Sequence, residues 1–220
     1  MKFILTLIAI LSMATANAQK LKPTSVNDLV MECMKTSGEG ANKQMVIWFP
    51  YNFWEIIGDQ MKISPQFIEN ITTQMKDYMM FCVVDYTTSS SGINFKTDEE
   101  IRKTIKLTDS SKNISKPLEE QDISSDAKHL LQNLQPMMAQ MLGQFGEGMR
   151  IYPFNAKKVN GKPSINVVTK NNFTLSWDTT NLNWKLPLSS VLPPKFCPVD
   201  NEQMKGTWEY CPIHGVKLDK

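Results

Sequence analysis

The spacing of apolar residues changes along this chain, from mainly helical in the first two thirds to mainly strand-like after residue 150. The clearest helical segment runs from Ser125 to about Phe145, where apolar residues recur at every third or fourth position. From Ile151 onward, short apolar or alternating runs are separated by Asn-Gly and Asn-Asn turns, which is typical of antiparallel strands. Helices early and strands late, without a regular β-α-β alternation, predict an α+β fold with a mixed or antiparallel sheet and several helices.

Local signals set the predicted boundaries. Ser64-Pro65 is a helix start, and Thr97-Asp98-Glu99-Glu100 forms a capping box. Pro136 should bend the longest helix without ending it, because the apolar stripe keeps its phase across the proline. Residues 109–124 are polar and predict a surface loop. The predicted helices span 23–37, 51–61, 64–78, 97–104 and 125–145, and the predicted strands span 45–49, 80–87, 93–96, 105–108, 151–154, 164–169, 173–178 and 182–186.

Residues 1–18 have the pattern of a cleavable signal peptide. Lys2 provides a positive start, Phe3 to Met13 form an apolar run, and Ala16-Asn17-Ala18 places small residues at the cleavage site. The apolar run is too short to cross a bilayer, which takes roughly 20 residues as a helix. The alternative, an N-terminal core helix, is less favoured because such a helix would carry polar residues at helical spacing. We therefore expect an exported protein, periplasmic or secreted, that begins near Gln19.

Length and charge limit the possible partners of the exported protein. The formal net charge of +2 falls to +1 once Lys2 is removed with the signal peptide. This balance gives no reason to expect nucleic acid or an anionic membrane as a partner. No later segment is apolar enough to cross a membrane, so we expect a soluble protein with no membrane span after cleavage. The remaining length suits one α+β domain, 19–190, followed by a small module, 191–220.

The last 26 residues contain an internal repeat with a spacing of 14 residues. Its first half begins Phe196-Cys197-Pro198 and its second half begins Tyr210-Cys211-Pro212. In both halves an aromatic residue, a cysteine and a proline are followed by a β-branched residue and then by a side chain that can bind metal. We refer to 196–204 and 210–218 as the first and second half-repeats. The repeat predicts two equivalent turns that fold onto each other.

This pattern resembles the paired knuckles of zinc-ribbon and rubredoxin-like modules, whose halves usually read Cys-Pro-x-Cys-Gly. Asp200 and His214 stand here in place of the second cysteine of each half. Zinc accepts carboxylate and imidazole as well as thiolate, so Cys197, Asp200, Cys211 and His214 form a chemically suitable tetrahedral set. The resemblance implies zinc as a cofactor. It covers roughly the last 24 residues and implies nothing for the rest of the chain.

The cysteines also allow other pairings. Export favours oxidation of thiols, so a Cys197–Cys211 disulfide is an alternative to the metal site, with Asp200 then acting as a turn former. Either link would supply the staple that so small a module needs. Cys33 and Cys82 lie on a predicted helix and strand that could pack together, where they could form a disulfide or serve as small buried apolar residues.

Two further segments could bind ligands. The stretch Trp48-Phe49-Pro50-Tyr51-Asn52-Phe53-Trp54 could stack on sugars or apolar ligands, although such a junction more often belongs to the core. Met137, Met138 and Met141 could offer thioethers to copper(I), although methionine at helical spacing usually fills a core.

Catalytic motifs are missing from the sequence. It contains no Gly-x-Ser-x-Gly, no His-Glu-x-x-His and no phosphate-binding glycine loop, and it has only two histidines. The leading interpretation is therefore a non-enzymatic binding or interaction protein, whose partner is an unknown protein or small-molecule ligand. The alternatives are an extracytoplasmic hydrolase of an unlisted type and a metal-handling protein.

Overall fold

A computed structural model gives the fold of residues 25–156, 158–159, 162–163 and 165–218. The predicted signal peptide, 1–18, and the predicted start at Gln19 lie outside the described residues. Helices and antiparallel sheets are both extensive, so the α+β prediction is confirmed. None of the helices in the described part of the chain is both long and apolar enough to cross a lipid bilayer.

The helices and strands alternate irregularly along the chain. The α-helices are α1 (Val26–Cys33), α2 (Phe53–Met61), α3 (Pro65–Met75), α4 (Asp98–Arg102) and α5 (Ser125–Met141), and short 3₁₀ helices lie at Glu120–Asp122, Gly143–Gly148 and Ser189–Val191. The strands are β1 (Met34–Ser37), β2 (Asn42–Phe49), β3 (Tyr78–Ser89), β4 (Gly92–Phe95), β5 (Lys106–Asp109), β6 (Ile114–Ser115), β7 (Met149–Asn155), β8 (Lys158–Val159), β9 (Lys162–Pro163), β10 (Asn171–Trp177), β11 (Thr180–Leu186), β12 (Lys195–Phe196) and β13 (Gln203–Met204).

Two antiparallel sheets build the body of the protein. The larger has the order β1-β2-β3-β4, and β7 also pairs with β3. The long strand β3 accommodates both partners because β7 pairs with its first half and β4 with its last four residues. The smaller sheet has the order β11-β10-β5-β6.

Aromatic side chains join the two sheets into one core. The ring of Phe173 on β10 lies 4.8 Å from Trp48 on β2 and 6.0 Å from Phe81 on β3, measured between ring centroids. Trp184 on β11 stacks on Phe173 at 5.3 Å. These side chains are fully buried, and large buried aromatics dominate the apolar surface removed from water.

Helix starts follow the predicted caps. The Ser64 hydroxyl accepts the Phe67 N–H at 3.3 Å at the start of α3. Thr97 and Glu100 form the expected capping box of α4. Helix α5 continues through Pro136 to Met141, so the proline does not end it.

Two predicted elements are wrong in type. The helix predicted over 23–37 ends at Cys33, and the chain continues as β1 because Met34–Ser37 pairs with β2. The strand predicted over 164–169 is a turn in its described part, 165–169. There the Asn166 side chain accepts the Val168 N–H at 3.0 Å and closes the turn locally. The predicted loop 109–124 also contains strand β6 and a short 3₁₀ helix.

Candidate metal centre

The two half-repeats have the same backbone pairing. In the first, β12 pairs with β13, with Phe196 opposite Gln203. In the second, Tyr210 forms a β-bridge with Lys217, which is the same pair shifted by 14 residues. Each half-repeat is therefore a small hairpin that begins at its aromatic residue.

The turns of these hairpins are also equivalent in their hydrogen bonds. The Cys197 N–H donates to the Glu202 carbonyl at 2.9 Å, and the Cys211 N–H donates to the Val216 carbonyl at 2.8 Å. The Asn201 N–H donates to the Cys197 carbonyl, and the Gly215 N–H donates to the Cys211 carbonyl, both at 2.8 Å. Asn201 and Gly215 both have positive φ, 59° and 66°. Asparagine and glycine tolerate this conformation best, which explains their place in the repeat.

Three side chains converge between the two turns. The sulfurs of Cys197 and Cys211 and a ring nitrogen of His214 all lie within 4.8 Å of one another. His214 Nδ1 is 3.4 Å from Cys197 Sγ and 3.6 Å from Cys211 Sγ. A tetrahedral zinc ion with bonds of about 2.3 Å to sulfur and about 2.0–2.1 Å to nitrogen would hold these atom pairs roughly 3.5 Å apart. The group can therefore hold a metal ion with little movement.

Asp200 lies beside this group, and its two oxygens have different contacts. Oδ1 accepts the Glu202 N–H at 3.0 Å, as expected of a turn-forming aspartate. Oδ2 lies 3.7 Å from His214 Nδ1. The Glu202 N–H, followed by the Cys197 side chain and the nearby His214, holds the pKa of Asp200 below its ordinary value although burial opposes this. The carboxylate is thus placed next to the three-residue group while it also shapes the turn.

Backbone N–H groups point at both sulfurs. Burial raises the pKa of Cys197, although hydrogen bonds from the Val199 and Asp200 N–H groups oppose this. Burial acts in the same direction on Cys211, but the His214 and Ile213 N–H groups, together with neighbouring side chains, outweigh it and lower the pKa. The His214 N–H is 3.4 Å from Cys211 Sγ. Such N–H groups stabilise thiolates, the form of cysteine that binds metal.

The two cysteines of the convergent group belong to a small core of their own. Cys197 and Cys211 are each only 1% exposed, and they pack with Met204 and Leu218, which occupy equivalent positions in the two half-repeats. This cluster is separate from the large core of the body. Four buried side chains remove little apolar surface from water, so the module needs further stabilisation.

The link between the two half-repeats packs closely against the segment 189–193, which joins the module to the body. A side chain on Gly206 would meet the Pro193 carbonyl oxygen at 2.5 Å, so only glycine fits there. The Thr207 hydroxyl donates to the Ser189 hydroxyl at 3.2 Å. Glu32 of α1 fixes the same segment, since its carboxylate accepts the N–H groups of Ser189 and Ser190 at 3.0 and 2.9 Å.

All four cysteines are free thiols in the structure. The structure has no bond between Cys197 and Cys211, the pair considered above for a disulfide, and it places both sulfurs in one group with a ring nitrogen of His214. Cys33 and Cys82 are also unpaired, and both are buried as small apolar side chains. Burial raises the pKa of Cys82 to about 12.

The other candidate ligand sites do not form convergent groups. In the aromatic stretch, Trp48, Phe49 and Phe53 are buried and belong to the core, and Trp54 is partly buried and packs against it. Met138 points into the core, whereas Met137 and Met141 are exposed, so the three thioethers do not face one site. Among the described residues, Cys197, Cys211 and His214 are the one group of three or more Cys, His, Asp or Glu side chains whose ligand atoms converge.

The sequence analysis missed an apolar surface on the module. The side chains of Phe196, Val199, Tyr210 and Ile213 are between 48% and 64% exposed. They are the aromatic and β-branched positions that both half-repeats share. The repeat shows that these positions are apolar in both halves, whereas their exposure depends on how the two hairpins pack.

Comparisons of the chain with protein-family models, curated proteins and solved structures give no match.

Proposed function

We propose that this chain is an exported, non-enzymatic binding protein whose C-terminal module is held together by one zinc ion. Cys197, Cys211 and His214 bind the ion, and Asp200 Oδ2 completes the tetrahedron. The observation that carries this proposal is the spacing of the three ligand atoms, which matches tetrahedral zinc. The pattern of residues 1–18 supports export.

The ligand types favour zinc over other common ions. Two sulfurs and a ring nitrogen in a tetrahedral arrangement suit zinc, whereas magnesium and calcium take oxygen ligands. Asp200 Oδ2 is 3.7 Å from His214 Nδ1 but lies outside the convergent three-residue group, so its carboxylate has to move towards the ion to complete the tetrahedron. A structural zinc site has four protein ligands and supplies folding free energy to a module with a small core.

The exposed apolar surface supports a binding role for the module. Phe196 and Val199 of the first half-repeat have Tyr210 and Ile213 as their counterparts in the second. Zinc ligands from both turns would fix these side chains relative to each other. Several exposed apolar side chains on a small module favour a contact surface for a protein or an apolar ligand.

Zinc titration of the reduced protein tests the proposal. We expect one zinc ion per chain for the wild type, measured by competition with a chromogenic chelator under anaerobic conditions. His214→Ala should weaken zinc binding by at least roughly 10- to 100-fold, the loss seen when only a supporting residue of a metal ligand is removed. The control is His129→Ala, which removes the other histidine of the chain, an exposed residue of α5. Equal zinc binding by the two variants would contradict the proposal.

One feature of the same centre favours the hydrolase alternative. Asp200 lies outside the tight three-residue group, and zinc with three protein ligands keeps a position for water, as in catalytic sites. Asp200→Asn separates the two functions because asparagine can still accept the Glu202 N–H. A structural site should lose zinc affinity in this variant. A catalytic site should keep its zinc and lose zinc-dependent hydrolysis of an activated ester.

A further inference from the structure

The two zinc-binding sulfurs are close enough to react with each other. The structure places Cys197 Sγ and Cys211 Sγ within 4.8 Å, and tetrahedral zinc would hold two sulfurs roughly 3.8 Å apart. A disulfide needs about 2.05 Å between sulfurs, so the two turns and their cysteine side chains have to move towards each other to close the gap. The two turns that carry the cysteines already face each other across His214.

A small oxidant can approach from the side of the other two ligands. Both cysteines are buried, but the side chains of His214 and Asp200 are 31% and 37% exposed. The outer edge of the centre therefore faces solvent at His214 and Asp200, and a molecule of the size of hydrogen peroxide has to pass these two side chains to reach the buried sulfurs.

We propose that the centre is a redox-releasable staple, in which a peroxide joins Cys197 and Cys211 as a disulfide and thereby releases the zinc. This inference rests on the proposed function, because it requires zinc to be bound by the two thiolates. It adds a mode of regulation to the same site.

The reaction balances with peroxide as the oxidant. One thiolate attacks a peroxide oxygen, which breaks the O–O bond, forms a sulfenic acid and releases hydroxide. The second thiolate attacks the sulfenic sulfur, forms the S–S bond and expels a second hydroxide. Two protons from solvent convert the hydroxides to water. The sulfurs lose two electrons and the peroxide gains them, while zinc keeps its charge and leaves because its thiolate ligands are gone.

The module should remain folded after oxidation. Zinc and the disulfide connect the same two turns, so one cross-link replaces the other. His214 and Asp200 lose their shared ion, but the turn bond from the Glu202 N–H to Asp200 does not depend on the metal. Oxidation therefore changes the metal content and the two ligand side chains, and the hairpins remain.

The body cysteines provide an internal control. Cys33 lies on α1 and Cys82 on β3, and both are almost fully buried. Burial raises the pKa of both thiols, which leaves little reactive thiolate. Peroxide should leave these two residues as thiols while it oxidises the pair in the module.

Peroxide treatment of zinc-loaded protein tests the inference. We expect zinc content to fall from one ion per chain to almost none, measured with a chromogenic chelator. Trypsin should then release peptides 196–205 and 206–217 as one disulfide-linked species, while Cys33 and Cys82 are recovered as alkylated thiols. Dithiothreitol should separate the peptides and restore zinc binding. In Cys197→Ser the linked species should not form.

The outcomes separate this inference from the proposed function. Failure of the reduced protein to bind zinc would overturn the proposed function and the inference with it. Zinc that binds but stays bound under peroxide, with all four thiols still alkylated, would overturn the inference alone. Zinc release accompanied by sulfinic or sulfonic acids instead of the linked peptides would overturn it as well.

Discussion

Asn201 and Gly215 occupy the same position in the two turns, and both have positive φ. A Cβ on Gly215 would meet no atom within 4 Å, so any cost of Gly215→Ala comes from backbone conformation alone. Such a residue costs about 1–2 kcal/mol. In the proposed zinc site, folding of the module is coupled to metal binding, so Gly215→Ala should weaken zinc binding by roughly 5- to 30-fold.

Asn201→Gly is the matched control for this residue. Glycine adopts the same φ without strain, so zinc affinity should stay close to that of the wild type. Competition titration of both variants measures the difference. Equal affinities for Gly215→Ala and Asn201→Gly would show that the turn conformation does not limit zinc binding.

Asp178 links the end of β10 to neighbouring segments through charge. Its carboxylate lies 2.6 Å from Lys96 Nζ and accepts the Thr104 hydroxyl at 2.8 Å. The hydrogen bond from Lys96, with that from Thr104, lowers the pKa of Asp178 below its ordinary value of 3.8. The stabilisation is therefore present above about pH 4 and is lost as pH falls through the lowered pKa. The pKa of Lys96 is raised above its ordinary value of 10.5, so the lysine stays charged across the neutral and mildly alkaline pH range.

Asp178→Asn should reveal this pH dependence. Asparagine tolerates the positive φ of 47° at this position, so the backbone should not change. We expect the variant to melt below the wild type at pH 7 and the difference to be smaller at pH 2, because protonation of Asp178 in the wild type removes the same interaction. Glu99→Gln, which removes a fully solvated partner of Lys103, should have little effect at either pH. A melting difference for Asp178→Asn that is the same at both pH values would contradict this assignment.

At the scale of elements, α5 contains an unfavourable residue at an exposed place. Pro136 lies in the helix interior, where it cannot donate a backbone hydrogen bond, and its ring is exposed to solvent. Pro136→Ala restores the hydrogen bond and removes no core contact. Alanine is favoured over proline in a helix interior by up to about 3 kcal/mol, so the melting temperature should rise. Gln135→Ala, an exposed neighbour in the same helix, should change it little. A fall in stability for Pro136→Ala would contradict this expectation.

The elements that can be predicted from sequence are those whose boundaries depend on residues close together in the chain. Helices α3, α4 and α5 begin where cap residues stand next to an apolar stripe, because these contacts are made within one turn of chain. Strand β1 was predicted as helix because its conformation depends on pairing with β2, which the local sequence does not report. The strand predicted over 164–169 is wrong in its described part because the Asn166 side chain accepts the Val168 N–H and closes a local turn.

The candidate metal centre was predictable for the same local reason. Each turn carries its cysteine and its second candidate ligand only three residues apart, so the repeat predicts four converging side chains, of which Cys197, Cys211 and His214 converge and Asp200 lies beside them. The different roles of the two Asp200 oxygens could not be predicted, since they depend on how the second turn places His214. The exposure of Val199 and Ile213 likewise depends on how the two hairpins pack.

At the scale of the whole molecule, two separate cores predict two levels of stability. The large core joins both sheets, whereas the module has four buried residues around the candidate centre. Removing zinc with a chelator should therefore release the amides of the half-repeats to hydrogen exchange and leave those of β2 and β3 protected. Loss of protection throughout the chain would instead mean that the module and the body unfold together.

X-ray absorption at the zinc edge of the reduced, metal-loaded protein measures the ligands of the proposed centre. We expect a four-coordinate ion with two sulfurs at about 2.3 Å and two nitrogen or oxygen ligands at about 2.0–2.2 Å. His214→Ala should change the nitrogen and oxygen part of the signal and keep both sulfurs. A first shell without sulfur, or with more than two sulfurs, would contradict a centre built from Cys197, Cys211, His214 and Asp200.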